Sequence, residues 1–157
     1  MDLDRILPNV FVGSCPMDAD DVDRLKWQLG ITAVLNVQTD EDLANWNIDW
    51  PFLEALYRQH EIRCRRVPVQ DFSPECLRAL LPDCVEALRA LLDEGHTVYV
   101  HCSAGMNRSP STVIAYLHWV EGWGLEEAVS HVASSHACEP YIEAVRLATE
   151  DRAGKGR

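Results

Sequence analysis

The chain has 157 residues, of which 47% are hydrophobic and 25% are charged, a composition typical of one globular domain rather than of a disordered segment. Its formal net charge is −11, and nucleic acids and anionic membrane surfaces are normally bound through basic patches. We therefore expect no nucleic-acid partner and no membrane partner, and no apolar run reaches the roughly 20 residues of a membrane span.

The N-terminus and the cysteines both bear on the cellular compartment. The first residues, MDLDRILPNV, are partly acidic and contain no long apolar segment, which argues against a signal or transit peptide. The six cysteines form no CxxC pair and no metal-ligand spacing. This pattern indicates reduced thiols, so we expect a cytoplasmic protein without a metal or another cofactor and without an obligate protein partner.

Strand and helix patterns alternate along the chain. Runs rich in β-branched and aromatic residues predict strands at 9–13, 31–37, 62–69 and 97–101. Helical spacing of apolar residues predicts helices at 20–29, from Ser73 and Pro74 to Gly95, and at 109–121, 125–136 and 141–150. This order predicts a single α/β domain with a mostly parallel sheet of about five strands flanked by helices. We expect the domain to span residues 1–152, followed by a frayed tail at 153–157.

One strand-to-helix junction, VYVHCSAGMNRS at 98–109, carries the residues expected for phosphoryl chemistry. A loop before a helix directs backbone amides and the positive end of the helix dipole toward one oxyanion. Arg108 adds a planar guanidinium that matches two phosphate oxygens. These groups favour the thiolate of Cys102, which is then a nucleophile toward phosphorus. The predicted phosphate-binding residues are Ser103, Ala104, Gly105, Met106, Asn107 and Arg108.

The reaction also needs an acid and base, for which Asp71 is the candidate. It follows a predicted strand and therefore lies at the same edge of the sheet as Cys102. Ser109 can donate its hydroxyl to the cysteine sulfur, and His101 is expected to hold the loop through a backbone contact. Each has an ordinary alternative: a loop or capping role for Asp71, a helix N-cap for Ser109 and a plain buried histidine for His101.

The string HCSAGMNRS, with Asp71 upstream, resembles the signature of the cysteine-dependent protein tyrosine phosphatase superfamily, in particular its dual-specificity branch. The resemblance covers nearly the whole chain: LPNVFVGSCP, ITAVLNVQTDEDL and CEPYIEAVRLATED are similar to segments of the glucan phosphatases, the plant starch phosphatases and laforin. It implies the phosphatase fold, Asp71 as general acid, and a phosphorylated glucan of the starch or glycogen type as substrate. It also implies that Phe72 and Trp46 stack on sugar rings. The alternative for each is an aromatic residue that packs in the core or anchors a loop.

Two positions depart from the glucan phosphatase pattern, and other functions stay open. Asn107 stands where a glycine is favoured, so the loop is expected to use the tolerance of asparagine for positive φ. Glu139 stands where the family places an aromatic residue.

The nearest alternative function is that of a dual-specificity protein phosphatase acting on phosphotyrosine and phosphoserine or phosphothreonine. A rhodanese-type sulfurtransferase and a non-catalytic phosphate-binding module are further alternatives.

Overall fold

One five-stranded sheet forms the centre of the fold in the computed structural model, which describes residues 1–155. Its strands are β1 (Leu3–Leu7), β2 (Val10–Gly13), β3 (Ala33–Asn36), β4 (Arg63–Arg66) and β5 (Val98–His101). Their order is β1-β2-β5-β3-β4, and only β1 at one edge pairs antiparallel. The prediction of a mostly parallel sheet of about five strands is confirmed. The sequence patterns predicted β2 to β5 but not β1.

The sheet has an apolar core on each face, because the side chains of a strand alternate between its two faces. In β5, Val98 and Val100 belong to one buried cluster, whereas Tyr99 belongs to the other. All four residues of β5 are buried. The last residue of this strand, His101, therefore lies in the interior, and the loop that follows begins there.

Helices cover both faces of this sheet. They are α1 (Ala19–Asp23), extended by a π-helical turn (Arg24–Gln28), α2 (Asp40–Asn45), α3 (Trp50–Gln59), α4 (Pro74–Asp93), α5 (Arg108–Trp119), α6 (Leu125–Ser135) and α7 (Ile142–Lys155). Helix α5 packs against α4, α6 and α7, and α3 packs against α1 and β4. Within residues 1–155, no helix combines the length and the apolar character needed to cross a membrane.

Helix boundaries follow local sequence signals. The Ser73 side chain accepts a hydrogen bond from the Cys76 amide at 3.1 Å, and Pro74 occupies the first helical position of α4. Helix α7 continues to Lys155, so residues 153–155, which were expected to belong to a frayed tail, are helical. Gly156 and Arg157, the rest of that tail, lie outside the described residues.

Helix α5 fixes the loop that precedes it. Every residue from Arg108 to Leu117 is buried, as expected for a helix enclosed by other elements on all sides. The loop 102–107 is therefore held between two buried elements, β5 and α5. The carboxyl ends of the parallel strands meet at this edge of the sheet, where the sites of α/β proteins lie.

Candidate active site

The structure brings Cys102, Asp71 and Arg108 together around one cavity of about 240 Å³. Cys102 directly follows β5, and Arg108 is the first residue of α5. Asp71 lies in the turn between β4 and α4, and its Oδ2 is 3.2 Å from the NH2 of Arg108. The residues lining the cavity are Asp71, Phe72, Cys102, Ala104, Met106, Asn107, Arg108 and Glu139.

The first half of the loop has its carbonyl groups fixed from outside. His101 Nδ1 contacts the carbonyl oxygen of Cys102 at 2.9 Å, and the Cys15 amide donates to the carbonyl oxygen of Ser103 at 2.9 Å. In a trans peptide the C=O and N–H of one plane point in opposite directions. The amides of Ser103 and Ala104 are therefore directed away from these outer partners.

The second half of the loop is fixed in the same way from another part of the chain. His136 Nε2 contacts the carbonyl oxygen of Gly105 at 2.8 Å, and the Glu139 amide donates to the carbonyl oxygen of Met106 at 2.7 Å. The amides of Met106 and Asn107 share those peptide planes, so they also point away from the outer partners. Four loop amides thus belong to peptide planes whose carbonyl groups are held by other parts of the chain, as the preorganised amides of an oxyanion nest require.

Glycine is required at position 105 for two reasons. Its φ is +75°, and a Cβ there would lie 2.6 Å from the carbonyl carbon of Gly13. Asn107 does not use a left-handed conformation: its φ is −133°. The expectation that Asn107 would need positive φ is therefore wrong, because the one tight backbone position in the loop is Gly105.

Arg108 is almost completely buried, and one side of its guanidinium is anchored to protein. NH1 donates to Asp42 Oδ2 at 2.6 Å and to the carbonyl oxygen of Val69 at 2.8 Å. NH2 lies within reach of Asp71, and within residues 1–155 the buried Nε has no hydrogen-bond partner. NH2 also contacts Ser103 Oγ at 3.4 Å. Because buried donors are normally paired, the free Nε is suited to a phosphate oxygen, and NH2 can bind a second oxygen if it exchanges its contacts with Asp71 and Ser103.

Asp42 is a site residue that sequence reasoning did not identify. Burial disfavours its charged form, but hydrogen bonds from Arg108 and Thr39 outweigh that effect and hold the pKa of the carboxyl below its usual value. The Thr39 side chain and the Asp42 side chain form a reciprocal capping box at the start of α2. The Thr-x-x-Asp spacing was the available signal, since it places Asp42 in a first helical turn.

Phe72 lies beside Asp71 in a strained and exposed conformation. Its φ is +56°, which is uncommon for a bulky residue, and it is 84% exposed. The Phe72 amide donates to Asp71 Oδ1 at 3.0 Å. An exposed aromatic residue held at an unfavourable φ beside a candidate acid points to a functional constraint rather than to packing.

A second cavity, of about 450 Å³, adjoins the first and shares Asp71, Phe72 and Ala104 with it. Trp46, at the end of α2, lines this second cavity and is 42% exposed. The structure thus places Trp46 and Phe72 in one groove that continues from Cys102. Its other lining residues are polar or small: Thr39, Glu41, Asp42, Asn45, Gln70 and Ser103.

Ser109 lies below the cysteine sulfur. Its Oγ is 3.2 Å from Cys102 Sγ and 3.2 Å from the carbonyl oxygen of Gly13. It is not the N-cap of α5, because that position belongs to Asn107, and no side chain caps the helix there. The single hydroxyl hydrogen therefore has two possible acceptors, the sulfur and a backbone carbonyl.

His101 is buried: its Nδ1 contacts the Cys102 carbonyl oxygen, and its ring stacks on the ring of Tyr99. Burial lowers the pKa of His101 to about 4, and the positive charge of Arg108 adds to this effect, against the hydrogen bond to the Cys102 carbonyl. The carbonyl contact requires hydrogen on Nδ1, and the buried Nε2 has no partner within residues 1–155. His101 is therefore a neutral ring at physiological pH, placed to hold the loop rather than to transfer protons.

Comparisons with known proteins agree with this arrangement. Residues 10–143 match the family described as dual specificity phosphatase, catalytic domain. The chain is 39% identical over 147 residues to the chloroplastic phosphoglucan phosphatase LSF1 of Arabidopsis thaliana, covering 94% of this chain and 25% of that protein. It is 40% identical over 137 residues to laforin of Mus musculus, covering 81% of this chain and 42% of laforin. The chain thus spans less than half the length of these two relatives.

The fold also matches solved structures. The crystal structure of PTPMT1 superposes with a TM-score of 0.77 over 98% of this chain and 99% of that one, at 23% identity. At this identity the likeness shows the fold alone, whereas the family match rests on the sequence of most of the chain. The chain belongs to the dual-specificity phosphatase family, with glucan phosphatases among its relatives, as the sequence resemblance predicts.

Proposed function

We propose that the protein hydrolyses phosphomonoesters through a cysteinyl-phosphate intermediate. The Cys102 thiolate attacks phosphorus, and the bond from phosphorus to the ester oxygen breaks while Asp71 protonates that oxygen. The Asp71 carboxylate then takes a proton from water, which attacks phosphorus. The P–S bond breaks as inorganic phosphate forms, and the Ser109 hydroxyl donates to the departing sulfur.

The observation that carries this proposal is the outward fixing of four loop carbonyls. It orients the amides of Ser103, Ala104, Met106 and Asn107 before any anion binds. The loop can therefore stabilise negative charge on the phosphoryl oxygens in the transition state without changing its conformation. Arg108 adds the Nε donor, which has no partner within residues 1–155, and NH2, which contacts Asp71 Oδ2 at 3.2 Å and Ser103 Oγ at 3.4 Å. A chain with a net charge of −11 can bind phosphate at this point through the loop amides and the guanidinium of Arg108, which lines the cavity.

We further propose a phosphorylated glucan as the substrate. Two features support it: one relative is by name a phosphoglucan phosphatase, and Trp46 and Phe72 expose aromatic faces in a groove that leads to Cys102. Aromatic faces stack on the apolar surface of sugar rings. Polar groups in the same groove, such as Asn45 and Glu41, supply hydrogen-bond partners for sugar hydroxyls.

The substrate is tested by comparing phosphate release from phosphorylated amylopectin or glycogen with release from phosphopeptides, each normalised to a small aryl phosphate. We expect preference for the polysaccharide. Phe72→Ala and Trp46→Ala should each lower turnover of the polysaccharide about tenfold, with the aryl phosphate little changed, because stacking is worth roughly 1 kcal/mol or more. Exposed Trp27 lies outside the groove, so Trp27→Ala is the control.

A preference for phosphopeptides would instead assign the dual-specificity protein phosphatase activity. Phosphate binding without turnover of any ester would assign the non-catalytic module.

We also propose that the protein acts in a reducing compartment such as the cytoplasm, because a thiolate mechanism needs a reduced Cys102. All six cysteines are unpaired in the structure, which supports this.

A further inference from the structure

His136 links the phosphate-binding loop to the edge strand of the sheet. It directly follows α6, and its side chain is completely buried. Nδ1 contacts Asp4 Oδ2 of β1 at 2.7 Å, and Nε2 contacts the carbonyl oxygen of Gly105 at 2.8 Å. A backbone carbonyl can only accept a hydrogen bond, so Nε2 donates to Gly105, and Nδ1 pairs with the Asp4 carboxyl group. The ring is thus fixed at two points.

The contact matters because of where it lies in the loop. Gly105 lacks a side chain and already adopts positive φ, so it can take up backbone conformations that turn over the peptide plane between Gly105 and Met106. If this plane turned over, the Met106 amide would leave the nest and a carbonyl oxygen would face the phosphate. The hydrogen bond from His136 holds the orientation in which the carbonyl points outward.

We propose that His136 is a positioning residue for the phosphoryl-transfer reaction, acting through the Gly105 carbonyl to hold the Met106 amide toward the substrate phosphate. Asp4 anchors the imidazole in the position from which it reaches that carbonyl. This inference rests on the proposed function, because it assigns a role in that same site. His136 touches neither the substrate nor the nucleophile.

The test compares His136→Leu, which removes both ring nitrogens at similar volume, with His136→Gln, which keeps a hydrogen-bond donor. For a small aryl phosphate, His136→Leu should lower kcat/KM about tenfold and weaken inhibition by vanadate by a similar factor. The loss is smaller than the roughly hundredfold loss on removing an oxyanion donor itself. His136→Gln should recover most of kcat/KM and most of the vanadate inhibition, which a purely space-filling role does not predict.

His131→Leu is the matched control. His131 also links α6 to β1, through Nε2 and the carbonyl oxygen of Ile6 at 2.8 Å, but it does not contact the loop. The His131→Leu variant should leave vanadate inhibition and kcat/KM unchanged, even if its midpoint of thermal unfolding falls as far as that of His136→Leu. Equal losses in the two Leu variants, or wild-type vanadate inhibition in His136→Leu, would overturn the proposal.

If His136→Leu does not fold, Asp4→Ala removes the anchor from a half-exposed position. It should weaken vanadate inhibition about threefold, and no change would overturn the role of His136. Wild-type turnover of the aryl phosphate tests the proposed function separately. An inactive wild type would contradict the proposed function. An active wild type together with an unaffected His136→Leu variant would contradict only the positioning role of His136.

Discussion

Arg108 and Asp42 form an ion pair inside the fold: NH1 lies 2.6 Å from Oδ2, and the two side chains are only 2% and 11% exposed. The pair fixes NH1, while NH2 contacts Asp71 and Ser103 and the buried Nε has no partner within residues 1–155. Removing one partner from a buried pair leaves an uncompensated charge, which costs more than the loss of an exposed pair.

We predict that Asp42→Asn lowers the free energy of unfolding by roughly 2–3 kcal/mol. It should also weaken vanadate inhibition about tenfold. Denaturant unfolding and inhibition of aryl phosphate turnover measure the two effects. The control is Asp40→Asn in the same helix, whose carboxylate pairs with Arg66 but is 92% exposed, so it should cost less than about 1 kcal/mol. Equal effects of the two variants would contradict the assigned role.

Asp71→Asn should affect poor leaving groups most. An amide cannot donate the proton that an alkoxide needs on leaving, so turnover of a sugar phosphate should fall roughly 100-fold or more. A phosphate ester of an acidic phenol should lose far less, because its leaving group needs little protonation. Rates across a series of leaving groups measure this, with Glu75→Gln on the exposed start of α4 as the control. A uniform loss across the series would show that Asp71 is not the acid.

Ser109→Ala should slow the second chemical step more than the first. The hydroxyl can turn its hydrogen from the Gly13 carbonyl to the cysteine sulfur, and that donation stabilises the thiolate as the P–S bond breaks. We expect kcat to fall about tenfold, with a burst of the alcohol product in pre-steady-state measurements and kcat/KM nearly unchanged. A fall in kcat/KM as large as that in kcat, without a burst, would place Ser109 in the first step instead.

His101 should make the stability of the fold sensitive to acid. The unfolded chain takes up a proton at this side chain near the ordinary value of 6.5, but the folded chain does so only near 4. Protons therefore favour the unfolded state as the pH falls below 6.5, and the penalty is complete below about 4. Between pH 8 and pH 5 the contribution is roughly 2 kcal/mol.

The measurement for His101 is the free energy of unfolding at pH 8 and at pH 5 in the wild type and in His101→Asn. Asparagine keeps a donor near the Cys102 carbonyl but does not titrate. The drop between the two pH values should be smaller by roughly 2 kcal/mol in the variant. An identical drop in both proteins would show that His101 is not the group responsible.

Most of the fold and the loop 102–108 could be predicted from the sequence because those features depend on local patterns. Strand and helix periodicities predicted β2 to β5 and the boundaries of α4, where Ser73 and Pro74 mark the start. The loop 102–108 is one contiguous string, so its residues could be assigned together. Strand β1 was missed because LDRIL alternates weakly and lies at the edge of the sheet, where charged residues are common.

Contacts between distant segments could not be predicted in the same way. Asp42 meets Arg108 across 66 residues, and Asp4 meets His136 across 132 residues. Both contacts depend on strand order and on the packing of α5 and α6, which no local pattern specifies. Asn107 shows a different kind of error. Because it stands where the family favours a glycine, we expected positive φ there, but within the loop the positive φ lies at Gly105.

The central claim is that Cys102 accepts the phosphoryl group. It is tested most directly by acid quenching during turnover of an aryl phosphate, followed by mass spectrometry of the peptide that contains residue 102. We predict one added phosphoryl group on Cys102 in the wild type, accumulating further in Ser109→Ala and absent in Cys102→Ser, which should not turn over. A phosphoryl group found on another residue, or sustained turnover by Cys102→Ser, would contradict the mechanism.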